Sequence, residues 1–376
     1  MADIQGTWDE QYAGVATTLA ASLDAGTDVG AAVAVFAGGE PVVDIWGGFA
    51  DPGRTRPWER DTITNVWSTT KTMTFLCMLM LADRGELDFH APVARYWPEF
   101  AAGGKERVEV RHLMGHTAGL SGWDEPMEAT QLADWERCTS LLAAQEPWWE
   151  PGTASGYHAV TQGYLVGEVL RRITGATIGT WFAEEVAKPL GADFAIGLPE
   201  EDDARVSPVI PPPAIDIGSL KPSELTLRTF TNPLIEASLT HEAWWRRCEI
   251  PAANGHGNAR SVATVQSIIA GRGEANGVRL LSEAGCRPIF EEQANGRDLV
   301  LGQPTRFGMG YGLGNQLVPL GPQACYWGGY GGSIVVMDQE TNLTVCYVMN
   351  RMDSGLTGDL RGAMVVAAAV QGYFNR

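Results

Sequence analysis

The segment WSTTKTMTFLCMLMLA, residues 67–82, carries the most informative pattern in this sequence. From Met73 to Ala82 it is apolar on all sides, which is typical of a helix in the middle of a protein. Gly85 is well placed to end that helix. Ser68 and Lys71 are three residues apart, so a helix that begins here places them on one face, one turn apart. The segment therefore predicts a buried helix that begins with a hydroxyl close to an amine.

A serine beside a lysine has the elements of a nucleophilic site. Serine is a weak nucleophile that needs a base nearby. Lysine is a base only when its pKa falls, and the apolar helix supplies the desolvation that lowers it. The start of the helix also offers backbone N–H groups to a developing oxyanion. The alternative is a serine N-cap with an incidental lysine, but a lysine that points inward needs a reason.

Strand and helix patterns on both sides of this segment predict the fold class. The apolar strand patterns fall at 30–37, 41–46, 324–327, 333–338 and 343–349. The helical patterns fall at 9–24, 131–144, 160–173 and 357–374. We therefore predict an α/β fold of the α+β type, in which helices flank an antiparallel sheet.

The order of these patterns along the chain predicts two regions. Early and late strands share one sheet, so residues 1–87 together with 255–376 form an α/β domain. A mainly helical region, residues 88–254, is inserted between them, and we expect the active site in the cleft between the two. Within the insertion, the proline-rich stretch 199–224 predicts a long irregular excursion.

A second candidate segment is SGYH, residues 155–158, which precedes an amphipathic helix. The phenol of Tyr157, held near Ser68 and Lys71, could relay a proton between nucleophile and leaving group. The alternative is a tyrosine that packs a loop against the core.

A third candidate segment is YWGGYGGS, residues 326–333, directly before an apolar strand. Glycines at a strand edge let a substrate approach the backbone closely, and an N–H there could be an oxyanion donor. The alternative is a plain Gly-rich turn.

Composition limits the partners. The 376 residues include 27 Lys and Arg against 45 Asp and Glu, a net charge of −18 that disfavours nucleic acid and anionic membranes. The first 12 residues lack the basic and apolar regions of a secretory signal. Six scattered cysteines without a CxxC pair indicate reduced, mostly buried thiols. We therefore expect a cytoplasmic protein, and a homo-oligomer is possible.

Competing site patterns are weaker. No serine lies in the G-x-S-x-G elbow of an α/β-hydrolase. His112 and His116 have the spacing of two zinc ligands, but the glutamate of H-E-x-x-H is missing, so we prefer a structural pair and expect no metal. No Walker or dinucleotide-binding glycine pattern follows a strand, so we expect no cofactor.

Together these segments resemble the penicillin-recognising serine hydrolases: class C β-lactamases, D-Ala-D-Ala carboxypeptidases and, especially, family VIII carboxylesterases. The likeness spans about residues 10 to 375, and its motifs occur in family order. They are WSTTK (67–71), RHLMGHTAGL (111–120), PG to Tyr157 (151–157), YLVGEVLRRITG (164–175), GMGYGLG (308–314) and WGGYGGS (327–333).

The resemblance implies a β-lactamase and penicillin-binding-protein fold and assigns the roles. Ser68 is then the acylated nucleophile, Lys71 the base and Tyr157 the proton relay. The backbone N–H groups of Ser68 and Tyr330 form the oxyanion hole.

Two positions depart from the peptidases and lactamases. Ala159 stands where they usually have asparagine, and Trp327 stands where they carry lysine or histidine. A cation there would grip a substrate carboxylate, which tryptophan cannot do. The esterase branch is similar in having tryptophan at that place, so both departures favour a neutral ester.

Several of the thirteen tryptophans fall in motif regions, including Trp149, and could form an aromatic wall for apolar or aryl esters. Ordinary core packing is the alternative for most of them. The residues expected to line the substrate site are Trp67, Trp123, His158, Trp327, Gly328 and Gly329.

The predicted function is therefore hydrolysis of a small carboxylic ester through an acyl-enzyme on Ser68. An amidase or acyltransferase on the same Ser-Lys-Tyr machinery is an alternative. A binding protein of this fold without turnover is another.

Overall fold

The computed structural model describes residues 2–213 and 222–375. Its strands are β1 (Ile4–Trp8), β2 (Gly30–Ala37), β3 (Glu40–Gly48), β4 (Thr64–Asn65), β5 (Phe194–Ala195), β6 (His256–Gly257), β7 (Glu274–Ala275), β8 (Val278–Arg279), β9 (Ala294–Arg297), β10 (Pro304–Phe307), β11 (Gly312–Leu313), β12 (Ala324–Gly328), β13 (Ile334–Asp338) and β14 (Leu343–Met349). Its α-helices are α1 (Ala13–Asp24), α2 (Lys71–Asp83), α3 (Val110–Met114), α4 (Trp135–Ala144), α5 (Thr161–Thr174), α6 (Ile178–Phe182), α7 (Lys188–Leu190), α8 (Glu224–Thr231), α9 (Ala243–Arg247), α10 (Ala259–Ala270), α11 (Glu283–Cys286) and α12 (Leu360–Phe374).

A nine-stranded sheet forms the centre, in the order β1-β3-β2-β14-β13-β12-β11-β10-β9. Every neighbouring pair is antiparallel. The early hairpin joins the late strands where β2 pairs with β14, with Ala34 opposite Cys346. The predicted antiparallel sheet of early and late strands is therefore confirmed.

Helices cover both faces of this sheet. All residues of β2 and β14 are buried, which explains why these strands are continuously apolar instead of alternating. The helix α10 packs on β2, β13 and β14, while α1 and α12 pack on each other and on β2. Because the central strands are covered on both sides, α10 lies on one face and the α1–α12 pair on the other.

The helix α2 lies between the sheet region and the helical region. Its residues 71–81 are all buried, as the all-round apolar pattern predicted. It packs against α5 and α6 of the helical region and against α10 and α11 on the other side. The helix α2 is therefore enclosed by helices on two sides.

Some boundaries differ from the prediction because polar side chains interrupt the apolar patterns. The helix predicted over 131–144 is divided into a 3-10 turn, Ala129–Ala133, and α4, because Asp134 is extended and caps α4. The last helix begins at Leu360 and not at 357, because the Asp359 carboxylate accepts the first amides.

Some strands were not predicted, and one predicted segment lies partly outside the described residues. The edge strand β1 and the short strands β9 to β11 were not predicted. The excursion 199–224 contains a 3-10 turn at Glu200–Arg205, and its residues 214–221 lie outside the described residues. None of the helices in the described ranges combines the length and apolarity needed to cross a membrane.

Candidate active site

A 3-10 turn, Trp67–Thr70, leads into α2 and brings Ser68 and Lys71 together. Because a 3-10 helix has about three residues per turn, side chains three residues apart lie directly above each other. Lys71 Nζ lies 3.1 Å from Ser68 Oγ. The lysine is 0% exposed and the serine 8%. The two groups are therefore in hydrogen-bond contact in a largely desolvated place.

The surroundings of Lys71 favour its neutral form. Two backbone carbonyls, of Ala159 at 2.7 Å and Ala252 at 3.0 Å, accept hydrogen bonds from Nζ. Burial lowers the pKa of Lys71 well below its ordinary value of 10.5, with no compensating charge of comparable effect in the described part of the chain. A neutral amine has two N–H donors and one lone pair. With both donors bound to carbonyls, the lone pair is left for the Ser68 hydroxyl.

Tyr157 approaches the same serine from the other side. Its phenol donates to Ser68 Oγ at 2.7 Å, and Lys71 Nζ lies 4.9 Å from its ring centroid. The side chain is 2% exposed, and burial raises the pKa of Tyr157. The tyrosine is therefore a neutral phenol, hydrogen-bonded to the same oxygen that the lysine contacts.

A buried carboxylate holds Tyr157 in place. Asp298 Oδ1 accepts three backbone amides, those of Tyr157 at 3.0 Å, Val300 at 2.9 Å and Leu301 at 2.8 Å. Asp298 is 0% exposed. Sequence reasoning missed this residue, because GRDLVLG carries no pattern that singles out the aspartate.

The Gly-rich turn after β12 packs directly on the nucleophile turn. Ser333 Oγ donates to the Val66 carbonyl at 3.0 Å and lies 2.9 Å from Thr69 Oγ1. A Cβ on Gly329 would lie 2.4 Å from the Val66 carbonyl oxygen, so only glycine fits there. In Gly328, a Cβ would lie 2.2 Å from the carbonyl oxygen of Thr357. At these two positions, glycine is required by protein backbone packed against it.

The two amides predicted as oxyanion donors, of Ser68 and Tyr330, have no acceptor in the described protein. Within residues 2–213 and 222–375, neither the Ser68 amide nor the Tyr330 amide donates to a protein acceptor. The backbone before the nucleophile is strained, since Trp67 has φ of 49°, in the left-handed region. The indole of Trp67, the residue before Ser68, packs edge-on against the Tyr330 ring at 5.4 Å between centroids, so the nucleophile turn and the Gly-rich turn are in contact.

This combination of fold and site can be compared with known proteins. The beta-lactamase family profile matches residues 15–369. The chain belongs to the beta-lactamase family. The predicted resemblance and fold class are thereby confirmed.

Two relatives and one solved structure are similar to this chain over most of its length. It is 36% identical to the esterase/beta-lactamase LipL of Mycobacterium tuberculosis, over 93% of this chain and 84% of LipL. It is 27% identical to esterase EstB of Burkholderia gladioli, over 93% of this chain and 95% of EstB. The crystal structure of a family VIII carboxylesterase superposes with a TM-score of 0.94 at 40% identity, covering 98% of this chain and 100% of that one.

Of the aromatic residues expected to line the site, Trp327 lies beside Tyr157. It stands near the end of β12, with its ring centroid 6.1 Å from that of Tyr157. Both residues border a cavity of about 70 Å³, which Phe307 and Leu301 also line. A larger groove of about 670 Å³ between α1 and α12 is lined by none of the Ser-Lys-Tyr residues.

Trp123 and His158 have structural partners. The Trp123 indole donates to the Cys138 carbonyl at 3.0 Å, within the helical region. His158 Nε2 accepts from the Leu120 amide at 3.0 Å, and its Nδ1 contacts the Gly156 carbonyl at 2.6 Å. Burial lowers the pKa of His158 to about 3. Its ring therefore stays neutral and holds the loop that carries Tyr157.

Further supports of the site were not predicted. Asn254 closes the turn that presents Ala252, because its Oδ1 accepts the Ile250 amide at 2.8 Å. His116 stacks on Trp327, with centroids 5.5 Å apart and planes at 18°. A histidine in HTAGL gives no sequence signal for this packing role.

The two histidines of the zinc-like spacing serve different structural purposes. His112 Nδ1 accepts the Glu109 amide at 3.2 Å and completes the cap of α3. His116 Nδ1 accepts the His158 amide at 3.1 Å. In the described ranges, no cluster of three or more histidine, cysteine or acidic residues could hold a metal ion.

Proposed function

We propose that this chain is a serine carboxylesterase in which Ser68 forms an acyl-enzyme. The observation that carries the proposal is the pair of contacts to Ser68 Oγ, from Lys71 Nζ at 3.1 Å and from Tyr157 Oη at 2.7 Å. The names of relatives that cover most of the chain, esterase/beta-lactamase LipL, esterase EstB and a family VIII carboxylesterase, support ester hydrolysis in general.

In the acylation step, Ser68 Oγ attacks the ester carbonyl carbon while its proton passes to the neutral amine of Lys71. A tetrahedral intermediate forms, and its oxyanion is held by the amides of Ser68 and Tyr330. The alcohol then leaves as the carbon–oxygen bond breaks, with the Tyr157 phenol donating a proton to the alkoxide and Lys71 returning one to the phenolate. The product of this half-reaction is the free alcohol and a Ser68 ester.

Deacylation repeats the sequence with water. The Lys71–Tyr157 pair takes a proton from water as the water oxygen attacks the acyl carbon of the Ser68 ester. The collapse of the second intermediate releases the carboxylic acid and returns the proton to Ser68 Oγ. No cofactor is required, because both steps move only protons and an acyl group.

The substrate class follows from the groups beside Tyr157. Trp327 offers an aromatic face and no positive charge where peptidases of this family carry a cation. Phe75 and Phe307 extend that apolar wall, with ring centroids 5.3 Å and 5.6 Å from Trp327. We therefore propose a neutral ester with an apolar or aryl group as substrate, and a preference for small charged acids would contradict this.

The test uses a panel of p-nitrophenyl and alkyl esters with nitrocefin beside it. We expect ester turnover and a mass increase of one phosphonyl group on Ser68 after treatment with a p-nitrophenyl phosphonate. Loss of both in Ser68→Ala is the control. A wild-type protein that neither turns over esters nor takes the phosphonate would be a binding protein, and ester product from added acceptor alcohols or amide cleavage would favour the acyltransferase or amidase alternative.

A further inference from the structure

The peptide unit between Gly329 and Tyr330 is fixed by hydrogen bonds to its carbonyl. Its carbonyl, that of Gly329, accepts the amide of Gly358 at 3.1 Å and the amide of Gly332 at 3.3 Å. In a trans peptide, the carbonyl and the N–H of the same unit point in opposite directions. Donors that fix the Gly329 carbonyl therefore fix the direction of the Tyr330 N–H.

The next residue of the turn is held even more closely. The Gly331 amide donates to the Gly355 carbonyl at 2.8 Å. The Gly331 carbonyl accepts the Asp353 amide at 2.9 Å and Arg361 Nη2 at 2.7 Å. The segment 353–361 thus supports the turn from the side away from Ser68, and Arg361 is its charged contact.

Arg361 has little freedom to move. Its guanidinium donates through Nη1 to Asp28 at 2.7 Å and through Nε to Asp359 at 2.9 Å. The side chains are 13% exposed for Arg361, 0% for Asp28 and 5% for Asp359. Tyr347 fixes Asp28 in turn, because its hydroxyl donates to the carboxylate at 2.8 Å.

The acceptors around Arg361 require a planar side-chain group with several N–H donors. Arg361 binds two carboxylates and three backbone carbonyls at once, those of Thr27, Arg351 and Gly331, which the single ammonium of a lysine cannot reproduce. The turn is also in van der Waals contact with this group, since a Cβ on Gly332 would lie 2.7 Å from Arg361 Nη2. A shift of the guanidinium therefore moves the turn that presents the Tyr330 amide.

We propose that Arg361, fixed between Asp28 and Asp359, is a positioning residue of the oxyanion hole that acts through the Gly331 carbonyl. This inference rests on the proposed function, because an oxyanion hole matters only if Ser68 is acylated. Arg361 does not touch the substrate, so its effect falls on the transition state and not on substrate binding.

The experiment measures kcat, KM and the affinity for an aryl boronic acid in Arg361→Lys and Asp28→Asn. Active sites are counted by a p-nitrophenyl phosphonate burst, so that unfolded protein does not enter kcat. We expect kcat per site to fall about 10-fold in both variants, because a misdirected donor retains part of the 10²–10³-fold effect of a complete oxyanion donor. KM should stay within about twofold, and boronate affinity should fall by the same factor as kcat.

The matched control is Arg172→Lys, which weakens another arginine paired with a buried carboxylate, Glu168, on α5. We expect it to lower thermal stability without changing kcat per site or boronate affinity. If Arg361→Lys and Asp28→Asn both keep the kcat and the boronate affinity of the wild type, the inference about Arg361 is wrong and the proposed function stands. Absence of turnover and phosphonylation in the wild type would instead reject the proposed function.

Discussion

The carboxylate of Asp298 accepts the backbone amide of Tyr157 at 3.0 Å, across 141 residues of chain. The same oxygen binds the amides of Val300 and Leu301, so one buried carboxylate fixes both the tyrosine and the loop beside it. With its backbone held in this way, the phenol of Tyr157 reaches Ser68 Oγ at 2.7 Å.

Replacing Asp298 should therefore affect both stability and rate. Asp298→Ala leaves three buried amides without an acceptor, at about 1–3 kcal/mol for each unsatisfied group. We expect unfolding at clearly lower denaturant concentration and a kcat lower by at least about 10-fold as Tyr157 shifts. Asp298→Asn keeps an acceptor oxygen and is the control. It should retain more of the stability and of the kcat than Asp298→Ala. Equal denaturation midpoints in wild type and Asp298→Ala would contradict this role.

Replacing the proposed base, Lys71, should strongly reduce turnover and leave the fold intact. Lys71→Met preserves volume and the apolar packing of α2 but supplies no lone pair. We expect turnover to fall by at least about 10²-fold, and Tyr157→Phe to lose at least about 10²-fold, the scale of a positioned proton-transfer group. Rates of phosphonate labelling followed by intact mass measure the nucleophile directly. Labelling of Lys71→Met at the wild-type rate would leave the proposed base without a role.

The pH dependence should have an acid limb set by Lys71. The lysine is a base only when neutral, and burial lowers its pKa well below 10.5, so the active form persists to lower pH than for an exposed lysine. Activity should fall as pH decreases through this pKa and reach a plateau above it. Burial raises the pKa of Tyr157, so the phenol keeps its proton on that plateau.

The measurement is kcat/KM across the acidic to mildly basic range. His158 does not account for the limb, because burial lowers its pKa to about 3 and it stays neutral throughout. Tyr157→Phe should lower the whole profile without removing the acid limb. A profile that declines as pH rises through neutrality would be incompatible with a neutral Lys71 as the base.

The close approach of the Gly-rich turn makes Gly329 sensitive to substitution. In Gly329→Ala, the new Cβ would lie 2.4 Å from the Val66 carbonyl oxygen and 2.3 Å from Ser333 Oγ. Because Val66 precedes the nucleophile turn, we expect at least about 10-fold loss of kcat, together with about 1–3 kcal/mol of stability, as for overpacking. Gly321→Ala is the control, since a Cβ at Gly321 would lie 3.7 Å from its nearest neighbour atom, Glu340 Oε2, an ordinary van der Waals distance. Activity and thermal unfolding measured side by side on the two variants test the prediction.

Local patterns in the sequence were sufficient for the main elements. The apolar residues of β2, β3, β13 and β14 predicted strands, and in β2 and β14 the apolar run is continuous because every residue is buried. The Ser68–Lys71 spacing predicted a contact because one helical turn fixes that distance. The two-residue strand β11, Gly312–Leu313, and the edge strand β1 were not predicted, since the first is too short and the second has too little apolar alternation to signal a sheet position.

The sequence alone determined the buried helix, its Ser-Lys start and the early and late strands, because periodicity and spacing are properties of neighbouring residues. Only the tertiary structure decided which groups hold Lys71 in place, since the two carbonyls that accept from its Nζ, of Ala159 and Ala252, are 88 and 181 residues away. The tertiary structure also decided the roles of Asp298 and Arg361. Every residue carries a backbone carbonyl or amide, so the pattern of side chains does not show which of these groups will bind Lys71, Asp298 or Arg361. Their contacts depend on how distant segments of the chain pack.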